Sequence, residues 1–505
     1  MGPSKNQNLS AKDVMNSIAK EHVRWLDLQF VDLLGALQHI SVPTKSVDEG
    51  SFKGGIGKLD GSSIKGFKEI HESDMVLYPD PATYAILPWG GGLNGQDFSN
   101  GKGNGNGHEA RKIARLIVNV HEGGTHERFS RDSRHVAQRA VEFAKAQGYD
   151  TTYWGPEIEF FVFDAVKMLP TADAVRNPWA GCGYEIISGE APWSNGPDHG
   201  KNTPIRFKEG YYPAPPQDTL HDYRTEACNI LQDDFGITLD AHHHEVATAG
   251  QCEIDMRYNT MVPAADNSIT YKFVMKMVAH KMGKIATFMP KPIFGDNASG
   301  MHVHQSIWKK GKNAMYDPND KYAEVSQVCR YYIGGLMHHA RALCAITNPT
   351  TNSYRRLVPG YEAPVFIAWS RKNRSANIRI PRYFKGIEAA SRIEYRTPDP
   401  SANVYLSFAA MLAAGLDGVK KKMDCGDPVD EDIYKLTHAK RKALGIRELP
   451  GSLRESVEEL ENDHDFLKPV MSEDVLEKYL ELKMDEHLQT SLRPSPYEFY
   501  RYLDS

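Results

Sequence analysis

Two glutamates stand symmetrically about a predicted turn between residues 241 and 255. Glu245 and Glu253 are each four residues from Ala249, and Gly250 can adopt the positive φ of a tight turn. The flanking segments then pair as antiparallel strands, with the two carboxylates as direct cross-strand neighbours about 5 Å apart between Cβ atoms. Like charges at that spacing destabilise a sheet unless a cation binds between them. The pattern predicts half of a metal site, and an exposed hairpin end with two solvated acids is the alternative.

A second pair of carboxylates lies on a strand predicted at residues 153–164. Alternation places Glu157 and Glu159 on one face, while Ile158 and Phe160 share the other. Burying both acids without partners would be costly and would raise at least one pKa. Cations or a water-filled cleft are therefore expected beside this strand, and a strand end reaching solvent is the alternative.

Imidazole and hydroxyl groups alternate on a further predicted strand, which follows a glycine-rich turn. His302, His304 and Ser306 share one face, a pattern compatible with metal or phosphate contacts. A single histidine there would more often be structural.

Arginines accompany a third acidic strand. Arg392, Glu394 and Arg396 lie along one face, which a surface charge ladder explains as well as a phosphate and metal site does. Permanently charged guanidinium groups suit carboxylates and phosphates, and four more occur nearby: Arg355, Arg356, Arg374 and Arg379. Mostly oxygen ligands with one imidazole favour Mg²⁺ or Mn²⁺ over zinc or copper. The combined set is typical of phosphoryl transfer.

Composition limits the classes of partner. The chain has 505 residues, 41% hydrophobic and 25% charged, with a net charge of −5, so neither nucleic acid nor a membrane surface is an expected partner. Six scattered cysteines form neither a zinc motif nor a disulfide framework, and the N-terminus has no apolar signal segment, so a cytoplasmic location is expected. The apolar stretch 404–416 is too short to span a membrane and predicts a buried helix.

Short strands interleaved with long helices, without a repeated βαβ glycine fingerprint, predict an α+β fold. Ser10 and Asp13 predict a capped first helix, a hairpin is expected around Gly35, and a helix is expected at 133–147. Residues 89–107 are rich in glycine, lack a phosphate-loop motif and predict a mobile surface loop.

Several long motifs, found in family order from about residue 10 to the C-terminus, resemble those of glutamine synthetases of the bacterial and archaeal type I class. They are LDGSSI (59–64), GPEIEFF (155–161), HHHEVATAGQCE (242–253), KPIFGDNASGMHVH (291–304), NSYRRLVPGYEAP (352–364) and NRSANIRIP (373–381).

The resemblance implies roles for individual residues. One divalent ion would be bound by Glu159, Glu245 and Glu253, and a second by Glu157, His302 and Glu394. Contacts to L-glutamate would come from Asn297, Ala298, Arg356, Glu362 and Arg396. ATP would be bound by Asp240, His304, Ser306, Arg374, Arg379 and Arg392.

The implied reaction is ATP-dependent ligation of ammonia to glutamate through γ-glutamyl phosphate. The ammonium site would contain Glu362, Tyr211 and Glu245, together with Asp60 from a neighbouring subunit, and Asp60, Glu362 and Arg374 would be the catalytic residues. The family assembles as a dodecamer of two stacked hexameric rings. It has an N-terminal β-grasp domain, here expected at 10–120 with the insert 89–107, and a catalytic domain, expected at 121–505, whose antiparallel sheet forms a funnel.

This chain departs from the family pattern at four positions. Ala298 replaces a usual glycine and Asp240 a usual glutamate, and neither change is expected to abolish activity. Glu431 replaces a basic residue beside Tyr434, so adenylylation of that tyrosine is not expected, and Glu69 replaces an arginine used for glutamine feedback in a related subclass.

Two other functions are open. A relative that ligates glutamate to a polyamine would be expected to lose acids from the ammonium pocket, whereas Asp60 and Glu362 are present. A catalytically inactive structural homologue would be expected to lose metal-type residues, and all six are present.

Overall fold

The computed structural model describes residues 9–89, 112–169, 183–193, 203–381 and 385–505. The predicted glycine-rich loop at 89–107 lies outside these residues except for Trp89. The described α-helices are α1 (Ala11–Lys20), α2 (Ser51–Gly54), α3 (Ser133–Ala146), α4 (His221–Asp233), α5 (Met261–Lys281), α6 (Gln327–His338), α7 (Ala340–Thr347), α8 (Ser353–Arg356), α9 (Val404–Lys421), α10 (His438–Ala443), α11 (Leu453–Asn462), α12 (Glu473–Ser491) and α13 (Pro496–Tyr502).

The described strands form three sheets. They are β1 (Val23–Val31), β2 (Leu37–Pro43), β3 (Ile56–Asp60), β4 (Asp74–Pro79), β5 (Ala85–Ile86), β6 (Lys112–Glu122), β7 (Thr151–Phe163), β8 (Ala165–Leu169), β9 (Gly183–Ile187), β10 (Leu239–His244), β11 (Gln251–Met256), β12 (Asn259–Thr260), β13 (Ile285–Thr287), β14 (Met301–Lys309), β15 (Lys312–Asn313), β16 (Phe366–Ser370), β17 (Ala376–Arg379), β18 (Ile393–Tyr395) and β19 (Arg447–Glu448).

The N-terminal part is a six-stranded sheet in the order β2-β1-β6-β4-β3, with β5 beside β6. Strands β1 and β6 are parallel neighbours, and the other pairs are antiparallel. The predicted start of α1 is confirmed, because Ser10 and Asp13 form a reciprocal capping box. The hairpin around Gly35 is also confirmed, since that glycine has φ of +97° between β1 and β2.

The larger sheet has eleven strands, and the path β10-β11-β7-β14-β18-β17-β16-β19 runs through it. Its longest strand, β7, separates two environments as the sequence predicts. Ile158 and Phe160 are fully buried in the main core, and Tyr271 of α5 donates a hydrogen bond to the Ile158 carbonyl at 2.9 Å. Glu157 and Glu159 alternate with these residues and therefore lie on the opposite face. The α+β architecture is confirmed.

Helix α9 is the buried helix predicted from the apolar stretch, and it joins the two sheets. Asn403 caps it and donates from its side-chain amide to the Asp32 carbonyl at 3.1 Å and to Ser133 Oγ at 2.7 Å. The N-terminal sheet is thereby tied to the start of α3 and to the core. In the described ranges, no helix is long and apolar enough to cross a membrane.

The register of the hairpin β10–β11 differs from the prediction. His243 lies opposite Glu253, and the Glu245 amide donates to the Gln251 carbonyl at 2.9 Å. The expectation that Glu245 and Glu253 are direct neighbours is therefore wrong, because Ala249 and Gly250 both adopt positive φ and centre the turn on Thr248. The pairing is displaced by two residues, so side-chain alternation is preserved and both glutamates still share a face.

We expect Gly250→Ala to destabilise the protein by about 1–3 kcal/mol or more. The residue has φ of +88°, and an added Cβ would lie 2.4 Å from the Val162 carbonyl oxygen. Gly311→Ala is the matched control, because Gly311 has φ of +74° but open space around its Cβ position. Thermal unfolding should show a larger loss for Gly250→Ala, and equal losses would contradict the proposed backbone contact.

Candidate active site

Three strands of the larger sheet bring a first group of metal-type side chains together. Glu157, His302 and Glu394 come from β7, β14 and β18, and each offers a ligand atom within 4.8 Å of the others. The pairing of β14 with both neighbours causes this, since His302 is directly opposite Glu157. The family resemblance assigned these three residues to one ion, and the structure brings their side chains together.

A second group lies on the adjoining hairpin. His243, Glu245 and Glu253 also have ligand atoms within 4.8 Å of one another, and Glu159 of β7 is directly opposite Glu253. Sequence reasoning included Glu159 here but missed His243. The available signal was the alternation His243-x-Glu245, which places both side chains on one face of the chain.

Burial, reinforced by repulsion between neighbouring carboxylates, opposes ionisation in the second group. Burial and the charge of Glu245 raise the pKa of Glu159 to about 8, and burial also raises the pKa of Glu245 to about 7. For Glu253, burial and the carboxylates of Glu157, Glu159 and Glu245 hold the pKa well above its usual range. Hydrogen bonds to Glu159 Oε2 from the Gly300 amide at 2.9 Å and Gln251 Nε2 at 3.1 Å compensate only partly.

Histidine and arginine partners outweigh burial in the first group. Burial opposes the ionisation of Glu157, yet His304 and His302 hold its pKa well below the usual range. Burial likewise opposes ionisation of Glu394, but Arg396 lowers its pKa overall. Burial and Arg396 lower the pKa of His302 to about 4, so its imidazole is neutral at pH 7 and has a lone pair for a metal.

The donor chemistry of both groups fits divalent cations. Ionised carboxylates with a neutral imidazole form the first group, and carboxylates whose repulsion a cation would relieve form the second.

A small cavity of about 40 Å³ adjoins both groups and contains the residues expected to contact glutamate. Asn297, Ala298, Arg356, Glu362 and Arg396 all line it, together with Glu159, Glu245 and His302. Glu159 and Arg396 are 237 positions apart in the sequence. The fold therefore brings residues from distant segments together at this cavity.

The arginines of this cavity are rigidly held. Arg356 donates to the Thr397 carbonyl at 2.6 Å and the Arg396 carbonyl at 3.1 Å. Arg396 donates from Nη1 to Glu394 Oε1 at 2.5 Å, while its Nε is buried and has no hydrogen-bond partner among the described residues. Glu362 is exposed at the mouth with φ of +60°, an uncommon conformation for a glutamate.

A larger cavity of about 470 Å³ lies beside the first metal-type group. Asp240, His304, Ser306 and Arg392 line it, four of the six residues expected to contact ATP. Arg392 Nε donates to His304 Nδ1 at 3.1 Å, and His304 Nε2 lies 2.7 Å from Glu157 Oε1. These two contacts connect the larger cavity with the first metal-type group.

The other two expected nucleotide residues lie outside that lining. Arg379 contacts Glu394 Oε2 from its Nε at 2.9 Å, and Arg374 is exposed on the turn between β16 and β17. Aromatic residues of the lining that sequence reasoning missed are Tyr153, Tyr258 and Trp308, and the Tyr153 ring contacts each of the other two edge to face.

Asp60 and Tyr211 are not among the described residues that line the small cavity. Asp60 is exposed at the end of β3 and accepts hydrogen bonds from the Ser62 amide and hydroxyl. The Tyr211 ring is stacked on Tyr212 and lies 5.7 Å from the ring of His243 of the second metal-type group.

Asp296 is a buried organising residue that sequence reasoning quoted but did not assign. Its carboxylate accepts hydrogen bonds from the amides of Lys208, Thr248 and Asn297 at 3.0, 2.7 and 2.9 Å. It therefore connects the turn of the hairpin with Asn297 of the small cavity.

Raised carboxylate pKa values predict that the metal-free protein loses stability as pH rises from about 4.5 to 8. In that interval, folded Glu159 and Glu245 retain protons that the unfolded chain has released, so deprotonation favours unfolding. Glu253→Gln removes a carboxyl group whose ionisation is opposed by burial and by three neighbouring carboxylates, and it should stabilise the chelator-treated protein at pH 8 by on the order of 1 kcal/mol. The exposed Glu226→Gln is the control, and thermal unfolding against pH is the measurement; a Glu253→Gln variant less stable than wild type at pH 8 would contradict the repulsion.

Comparison with known proteins identifies the family of the chain. Residues 130–502 match the glutamine synthetase catalytic domain, and residues 22–94 match the glutamine synthetase beta-Grasp domain. A glutamine synthetase of Sulfolobus acidocaldarius is 54% identical over 98% of both chains, and one of Frankia alni is 45% identical over 98% of this chain and 99% of the other.

A solved structure shows the same fold. The cryo-EM structure of Plasmodium falciparum glutamine synthetase superposes with a TM-score of 0.84 at 24% identity, covering 98% of this chain and 99% of that one. With these matches spanning nearly its whole length, the chain belongs to the glutamine synthetase family, whose members are glutamate–ammonia ligases that use ATP and divalent metals.

Proposed function

We propose that the small cavity binds L-glutamate and is where its γ-carboxylate becomes γ-glutamyl phosphate and then glutamine. The observation that carries this proposal is the convergence of Arg356, Arg396 and Asn297 with two carboxylate groups on one enclosed space. Arg356 and Arg396 would bind the carboxylates of glutamate, and the unpaired Nε of Arg396 is a donor that substrate can use. Asn297 and the backbone at Ala298 would orient the same substrate.

The metal ligands in this proposal are Glu159, Glu245 and Glu253 for one ion, and Glu157, His302 and Glu394 for the other. Mg²⁺ or Mn²⁺ is the expected ion, since the donors are mostly carboxylate oxygens. Divalent ions bound there would polarise the phosphates of ATP and neutralise negative charge. His243, whose ring lies with Glu245 and Glu253 in the second group, is a further candidate ligand for the ion of that group.

The nucleotide would occupy the larger cavity, where Asp240, His304 and Ser306 offer polar contacts. Arg374, Arg379 and Arg392 would stabilise the charge that develops as the γ-phosphoryl group moves to glutamate. In this step a P–O bond to the γ-carboxylate forms, the bond to ADP breaks, and the carboxylate oxygen becomes a good leaving group.

Ammonia would then attack the acyl carbon, forming the C–N bond and releasing phosphate. Ammonium must first lose a proton, and Glu362 together with Asp60 of a neighbouring subunit would bind and deprotonate it, with Tyr211 and Glu245 lining the pocket. The exposure of Asp60, and its position away from the small cavity of its own chain, support a shared site.

A shared site requires a homo-oligomer, and we propose a dodecamer of two stacked hexameric rings. We further propose that residues 10–120 form the β-grasp domain and 121–505 the catalytic domain, whose sheet forms the funnel. Cytoplasmic location stays a prediction, supported by the free, buried state of Cys228, Cys252, Cys329, Cys344 and Cys425.

Phosphate release and glutamine formation should depend on ATP, Mg²⁺ or Mn²⁺, glutamate and ammonia, with putrescine unable to replace ammonia. Glu159→Ala should abolish nearly all synthesis because one metal is lost, while the exposed Glu226→Ala should be neutral. Wild-type turnover in Glu159→Ala would refute the metal assignment, and putrescine turnover equal to that of ammonia would favour a polyamine ligase.

Asp60→Ala should raise the KM for ammonium about 10-fold or more while leaving ATP binding nearly unchanged, because Asp60 would contact only the ammonium. Asp48→Ala is a matched control from the same sheet region: Asp48 is also exposed and also accepts from a serine amide and hydroxyl, those of Ser51. An unchanged ammonium dependence in Asp60→Ala would sink the shared-site proposal.

A further inference from the structure

The segment 360–363, which carries Glu362 over the small cavity, has an unfavourable backbone conformation. Gly360 has φ of +93°, and Glu362 has φ of +60° without being a glycine. A left-handed glutamate persists only where surrounding contacts hold it. Two sets of contacts hold the segment in this conformation.

One anchor lies at its N-terminal end. Lys208 donates from Nζ to the Gly360 carbonyl at 3.0 Å, and its ammonium lies 4.3 Å from the centre of the Tyr361 ring. Lys291 places a second ammonium 4.0 Å from the same ring. These contacts hold Gly360 and Tyr361 but do not reach the C-terminal side of Glu362.

The second anchor is the hydroxyl of Tyr434. It donates to the Ala363 carbonyl at 2.5 Å, one peptide beyond Glu362, and Ala363 itself lines the small cavity. Burial raises the pKa of Tyr434 to about 12, so the hydroxyl keeps its proton and remains a donor at neutral pH. Its ring packs at 6.0 Å from that of Phe366.

Tyr434 is itself held in place by its own segment. Asp432 accepts from the Tyr434 amide at 3.1 Å, and the neighbouring Ile433 amide donates to Ser375 Oγ at 3.2 Å. Ile433 is fully buried. Tyr434 is therefore held in place and can anchor the 360–363 segment through its hydroxyl.

We propose that Tyr434 is a positioning residue for the ammonia step, holding Glu362 over the small cavity through the Ala363 carbonyl. The inference rests on the proposed role of Glu362 in binding and deprotonating ammonium. It adds to that role a reason why a glutamate can keep a left-handed conformation at this point: the carbonyl of the next residue, Ala363, accepts a hydrogen bond from the partly buried Tyr434 hydroxyl.

The test is Tyr434→Phe, which removes only the hydroxyl. The KM for ammonium should rise about five-fold, with the KM for ATP changed less than about two-fold, because one partly buried hydrogen bond is lost at the ammonium side. Amide hydrogen exchange across residues 360–366 should accelerate. A purely structural role would lower stability without separating the two KM values.

Tyr322→Phe is the matched control. Its hydroxyl donates to Asp430 at 2.5 Å, four residues before Tyr434, and accepts from the Arg371 amide at 3.0 Å, so its hydrogen bonds stabilise the same stretch of chain without involving the 360–363 segment. It should leave the KM for ammonium unchanged.

Glu362→Gln separates the inference from the proposal on which it rests. If Glu362→Gln raises the KM for ammonium and Tyr434→Phe does not, the positioning role is overturned while the proposed function stands. If neither variant changes it, the role of Glu362 fails and the positioning role fails with it. Equal changes in Tyr434→Phe and Tyr322→Phe also overturn the inference.

Discussion

Repulsion between buried glutamates is the constraint on which the site depends. Glu159, Glu245 and Glu253 would separate if their side chains were free, but the pairing of β7 with β11 places Glu159 directly against Glu253, and the turn adds Glu245. The backbone hydrogen bonds of the sheet and the apolar core beneath it supply the opposing free energy. A cation site is thus prepared by the fold before any cation binds.

The neighbouring group shows the opposite balance within a few ångströms. Glu157 and Glu394 are kept ionised by His304 and Arg396, whereas the hairpin carboxylates tend to hold protons. Two groups with similar residue types therefore differ in their affinity for protons, which is lowered at Glu157 and Glu394 and raised at Glu253. In the first group His304 lies 2.7 Å from Glu157 and Arg396 lies 2.5 Å from Glu394, whereas in the second group His243 lies 3.7 Å from Glu245. Sequence position alone does not reveal this difference in distance.

Much of the architecture follows from periodicity, and the remainder depends on contacts that periodicity does not encode. The alternation of acids and apolar residues in β7 predicts both of its faces, and the capping pair at Ser10 and Asp13 predicts the start of α1. The predicted hairpin register is wrong because Ala249 as well as Gly250 adopts positive φ, and an alanine in a sequence does not indicate that conformation. His243 joins the second group through its pairing with Glu253, and Asp296 organises the site by accepting hydrogen bonds from amides distant in sequence. The proposed ammonium role of Asp60 depends on contacts with a neighbouring chain, which the periodicity of one sequence does not encode.

The two-faced character of β7 also restricts how this protein can change over time. Replacement of one side chain alters one environment, and neighbouring residues can adjust to it. Inserting or deleting a single residue between 151 and 163 would exchange the faces along the rest of the strand, turning carboxylates into the apolar core and Ile158 or Phe160 into the cleft. Variation in this strand is therefore restricted to substitutions, and its length is fixed by the chemistry on one side and the packing on the other.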